Sequence, residues 1–88
     1  MSTPLHTVHS AAALERCLAR AEAHSVLLLL DDAVYAAVAP HGRALLVLAE
    51  DLAARGLAET DLVPGARAVD MKEFVALTVT HSPVVGWF

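Results

Sequence analysis

Four consecutive leucines, Leu27–Leu30, run into the acidic pair Asp31-Asp32 and then into the apolar segment Ala33–Ala39. A strand with one wet face alternates apolar and polar residues, because successive side chains point to opposite sides of the sheet. This run does not alternate. Val26–Leu30 is therefore predicted as a strand covered by helices on both faces, with Asp31-Asp32 marking its exposed end. Helices on both faces imply strands alternating with helices along the chain, so the expected class is α/β.

The rest of the chain fits that alternation. Leu5–Val8 is a weak first strand, and Ser10 can cap a helix running to about Ala23, with Leu14, Cys17, Leu18 and Ala21 at helical spacing. A short helix over Ala33–Ala39 ends at Pro40 and Gly42. Ala44–Leu48 is read as the third strand and Asp51–Arg55 as a short helix closed by Gly56. After the turn "ETDLVPG", Arg67–Val69 is a strand, and Asp70 with Glu73 has the spacing of a capping box. The helix begun there carries Phe74 and Leu77 toward the core, and Pro83 stops it before the last strand, Val84–Phe88. Its aromatic end, "GWF", is expected to bring the largest apolar payload of the chain. The predicted architecture is three-layered, with helices sandwiching a mainly parallel sheet of about five strands. Only Asp31–Arg43 is available to cross from the second strand to the third, close to the minimum of about a dozen residues. The helix there must be short, so thin cover and a subunit interface are expected at that place.

At 88 residues, one domain over 1–88 is expected, because two cores would be too small to stand alone. The chain is 57% hydrophobic with a mean hydropathy of +0.56, which calls for a dense core and for apolar surface covered by another subunit. Six Lys and Arg against ten Asp and Glu give a net charge of −4, and the bases form no block, which speaks against direct nucleic-acid binding. No apolar run approaches the roughly 20 residues of a membrane span, and "MSTPLHTVHS" lacks the pattern of a secretory signal. A cytoplasmic location is expected, and one cysteine excludes an internal disulfide.

Cys17 is the candidate nucleophile or sulfur carrier. Such a thiol must be exposed and drawn toward thiolate by a cation or a helix N-terminus, whereas Cys17 falls mid-helix on the apolar stripe. The residues alone read it rather as a buried thiol serving as a small hydrophobe. The five histidines, His6, His9, His24, His41 and His81, do not converge as zinc ligands would, and are expected to be scattered over the surface. No metal or cofactor is expected. Asp31-Asp32 stands where sites of open α/β sheets gather, at the carboxyl end of a strand, although either acid could simply cap the next helix. Glu50-Asp51 repeats the pattern one strand later. No phosphate loop, nucleophile elbow or cysteine pair is present.

Taken in order, "PLHTVHS", "LLLLDDAVYAAV", "EDLAARGL" and "DMKEFVALTVTHSPVVGWF" resemble the DsrH/TusB family of sulfur-relay proteins over nearly the whole chain. The resemblance implies a DsrE/DsrF-like α/β fold and a place in a heterohexamer with TusC/TusD-like (DsrF/DsrE-like) subunits. That complex passes persulfide sulfur between carrier proteins, for the 2-thiolation of wobble uridine in transfer RNA or for dissimilatory sulfur oxidation. The principal sulfur-accepting cysteine belongs to the TusD/DsrE-like subunit, so this chain would be a structural partner. Cys17 matches the first-helix cysteine of DsrH members, which keeps it a candidate carrier. Two features depart from the family pattern: Ala33 replaces the usual glycine, and the Pro40–Arg43 crossover is short. The second favours an alternative, a self-associating structural or regulatory module.

Overall fold

The computed structural model describes residues 2–88. Its five strands are β1 (Leu5–Val8), β2 (Val26–Leu29), β3 (Leu45–Leu48), β4 (Ala66–Val69) and β5 (Val84–Trp87). They form one sheet in the order β4-β3-β2-β1-β5, parallel throughout. Between them lie α1 (Ala11–Arg20), a 3-10 helix (Asp31–Val38), α2 (Ala49–Ala54), a 3-10 turn (Glu59–Asp61) and α3 (Met71–Thr80). The α/β, three-layer expectation is met.

The strand order decides which helix covers which face. From β1 to β4 each crossover moves one place in the same direction, so α1, the 3-10 helix and α2 fall on one side. The last crossover runs back past the whole sheet to place β5 beside β1, and this puts α3 alone on the other side. Side-chain alternation along β2 then splits the leucines. Leu27 and Leu29 join Val8, Leu14, Cys17 and Val34 in the larger core, and Leu28 and Leu30 join Leu5, Leu48 and Val69 in the smaller one. The non-alternating run is buried on both sides, as its composition requires.

The helix ends follow local chemistry. Ser10 accepts a hydrogen bond from the Ala13 amide, and Asp70 accepts one from the Glu73 amide. Gly56, at φ +72°, takes the left-handed conformation that closes α2. Helix α1 stops at Arg20, short of the predicted Ala23.

The short crossover is accommodated by winding Asp31–Val38 as a 3-10 helix rather than the α-helix predicted over Ala33–Ala39. Eight residues then span roughly 16 Å instead of roughly 12 Å, enough to run back along a strand of about 13 Å. Ala33, Val34 and Ala37 of this helix are fully buried, so the thin cover expected here is absent. The thinly covered surface is the opposite face. There Phe74 and Leu77 are only half-buried and α3 has no buried residue. Ala33 itself needs no glycine, because the left-handed residue of the turn is Asp31, at φ +50°.

The aromatic end also differs from expectation. Trp87 is half-buried against the larger core, whereas Phe88 remains 78% exposed.

Candidate functional site

At the carboxyl ends of β1, β2 and β3 a connected polar cluster forms. His9 directly follows β1, and Asp31 lies two residues beyond the end of β2. His9 Nδ1 lies 2.9 Å from Asp31 Oδ2. An ionised carboxylate can only accept, so Nδ1 carries the proton and the lone pair of the neutral ring resides on Nε2. The Asp31 amide donates to Asp51 Oδ2 at 2.7 Å, which ties the end of β2 to α2. Arg55 completes the chain of contacts: its Nε donates to Asp32 Oδ1 at 2.9 Å, and its Nη1 lies 3.9 Å from Asp51 Oδ1. The hydrogen bond with Asp32, followed by the nearby carboxylates, raises the pKa of Arg55 and holds it as a cation.

Asp31 and Asp32 therefore do not cap the 3-10 helix, whose N-cap is Leu30 and which has no side-chain cap. Their carboxylates are turned to His9 and Arg55 instead. Asp51, the repeat of the motif after β3, reaches back to Asp31, so the two strand-end acids belong to one cluster. Above it, the Phe88 ring stacks on His9 with centroids 4.3 Å apart and planes at 14°, and Arg16 donates to the Phe88 carbonyl. The sequence marks Phe88 only as part of an apolar end, and its contact with His9 joins residues 79 positions apart, which no local pattern signals.

His6 corrects the expectation of surface histidines: it is only 5% exposed. The indole of Trp87 donates to His6 Nδ1 at 2.9 Å, and an indole N–H can only donate, so His6 carries its proton on Nε2 and donates to Glu22 Oε1 at 3.0 Å. This bond fastens β5 to β1 and to the loop after α1. Backbone and His6 hydrogen bonds hold the Glu22 carboxyl below the usual carboxylate range. His41 turns its Nε2 to the Ala36 carbonyl, and His81 its Nδ1 to Thr80 and Leu77. Among the described residues, no group of three potential ligands could hold a metal ion.

Cys17 sits in the larger core with no exposed surface. Burial pushes its thiol pKa up, with the Arg43 charge opposing that rise. This is the environment of an inert thiol rather than a reactive one. A separate concavity of about 440 Å³ opens at the other end of the sheet, between the amino ends of β2, β3 and β4, lined by Ser25, Leu27, Leu45 and Arg67 among others. It coincides with the shortest ladder: β2 and β3 share two residue pairs where the other ladders share four. Arg67 is paired there with Glu73 at 3.1 Å, so among the described residues the connected polar cluster lies at the opposite, carboxyl edge.

The family model described as DsrH like protein matches residues 7–84, a span that runs from the second half of β1 through β2, β3, β4 and α3 to the first residue of β5. No curated protein matches the chain.

Proposed function

This chain belongs to the DsrH family, whose members are sulfur-relay subunits that act with DsrE- and DsrF-like partners, and we propose that it serves mainly as a structural partner subunit. The proposed assembly is a heterohexamer with TusC/TusD-like subunits, working in a reducing cytoplasm, whose persulfide sulfur is destined for the 2-thio group of transfer-RNA wobble uridine. The single observation that carries this reading is α3. From Phe74 to Thr80 it has no charged residue, yet Val75 and Val79 are 54% and 80% exposed. A helix apolar on most sides belongs in an interior, and here the interior has to be completed by another chain. Direct contact with RNA is no part of the proposal, since Arg16, Arg43, Arg55 and Arg67 are already engaged within the chain.

Native mass spectrometry of the complex isolated from its own cell tests the reading. Co-isolation with two related α/β chains is the expected result. A homo-oligomer alone would support the self-associating module, and a monomer at high concentration would overturn both.

Sulfur carried on Cys17 is the competing proposal. It requires α1 to lift from the sheet, because the thiol is sealed there. Slow alkylation of the folded chain by a soluble reagent is expected. Rapid modification, or a gain of one sulfur in mass after exposure to a persulfide donor, would move the carrier role to Cys17.

A further inference from the structure

We propose that His9, oriented by Asp31, is the proton acceptor for a thiol that a partner subunit presents at the carboxyl edge of the sheet. The inference rests on the sulfur-relay reading and assigns that edge a part in the transfer itself. Three features of the edge point the same way. The Asp31 carboxylate fixes Nδ1 as the protonated nitrogen, which leaves the Nε2 lone pair available, and among the described residues Nε2 has no hydrogen-bond partner. The His9 side chain is 25% exposed and sheltered on one side by the Phe88 ring, so it is reachable from outside yet partly withdrawn from water. Asp31 stands in the left-handed region at φ +50°, which Asp tolerates better than most residues, and its amide bonds Asp51, so the residue that orients His9 is itself anchored.

A base oriented by an acid is one half of an activated-nucleophile arrangement, and the nucleophile is the missing half. The one cysteine of this chain cannot supply it, being fully buried in the core. The thiol therefore comes from another subunit. Nε2 takes the S–H proton, and the resulting thiolate attacks the terminal sulfur of a donor persulfide, R–S–SH. The new S–S bond forms as the donor's S–S bond breaks, and the donor leaves as a thiolate that recovers the proton from the imidazolium. One sulfur atom moves from donor to acceptor, and no outside oxidant or reductant is consumed.

The test uses the complex isolated with its own partner subunits and glutathione persulfide as donor, with sulfur gain on partner cysteines followed by mass. His9→Asn places an amide nitrogen near the position of Nδ1, so it can keep the bond to Asp31 while lacking Nε2. The expected result is a transfer rate reduced about 10²-fold or more in His9→Asn and in His9→Ala, the usual scale for a lost acid–base group. Free imidazole should restore part of the rate in His9→Ala, and Asp31→Asn should slow transfer by a smaller factor. An assembled His9→Asn complex transferring within twofold of wild type would overturn the inference and leave the subunit role standing. If neither histidine variant assembles, Asp31→Asn decides, and an unchanged rate there also overturns it. Isolation of the wild-type chain without partners would remove the sulfur-relay reading and this inference together.

Discussion

Leu14 and Leu77 are both leucines on helices that cover the same sheet, yet they sit in different situations. On the side of α1, the 3-10 helix and α2, three successive crossovers lay helices side by side, and Leu14 is 1% exposed as one of twelve buried residues of one cluster. On the other side α3 crosses the whole sheet alone, and Leu77 remains half-buried. Helix α1 gathers its apolar residues on one stripe and α3 spreads them around its circumference, and topology adds to that difference. Placing β5 beside β1 forces a single helix to serve a surface that three elements serve opposite. One side is finished within the chain, and the other is left thinly covered, which is where the proposed assembly would complete it.

The comparison breaks most visibly under truncation. Leu14→Ala should cost about 2–5 kcal/mol in urea unfolding of the isolated chain, the range for a core leucine. Leu77→Ala should cost about 1 kcal/mol, because much less area leaves water there on folding. Equal shifts of the unfolding midpoint at constant slope would show the two faces to be equivalent.

A charge on the open face sharpens the contrast next. Val79→Glu should leave the stability of the isolated chain within about 0.5 kcal/mol, since Val79 is 80% exposed. The same change should weaken association at least tenfold, about 1.4 kcal/mol, in sedimentation of the assembled complex. Loss of folding with intact assembly would invert the roles of the faces.

Smaller effects come from titration on the closed side. The Cys17 thiol has its pKa raised in the folded state, so the stability it contributes is fully present below the unfolded thiol value of about 8.5 and declines as pH rises from there. Cys17→Ala should be less stable at neutral pH but should lack that alkaline decline, measured as unfolding midpoints across the range. The smallest effect belongs to Glu22. Its depressed carboxyl contributes stability that is present above the unfolded value of about 4.3 and is lost as pH falls through the lower folded value. Glu22→Gln should flatten that acid limb slightly, and an unchanged limb would mean that the backbone and His6 hydrogen bonds of this carboxylate add nothing.

What the sequence discloses is what local physics governs. Leu27–Leu30 announces burial on both sides because no partially wet strand tolerates it, and Ser10, Gly56 and Asp70 announce helix ends because their side chains or backbone freedom satisfy terminal groups. Strand order is not local. Nothing within Val84–Trp87 says that it pairs with Leu5–Val8, and that pairing determines which face is thinly covered, why His6 is buried under Trp87, and why Phe88 reaches His9. The acids after the leucines are legible as strand-end residues at a place where sites gather. Their partners, His9 and Arg55, come from other crossovers and emerge only with the fold.

The two margins of the sheet differ as well. On β4 the outward amides of Ala66 and Ala68 are taken by the Val63 carbonyl and the Glu59 carboxylate. On β5, Leu5 and His9 bond to the carbonyls of Pro83 and Trp87, so strand alternation turns Val84 and Gly86 outward with no such guard. Among the described residues, an added strand would therefore meet free amides at the β5 margin and engaged ones at the β4 margin. A neighbouring strand seated beside β5 would turn the β4 margin, with its amides already taken, to the far side of the enlarged sheet.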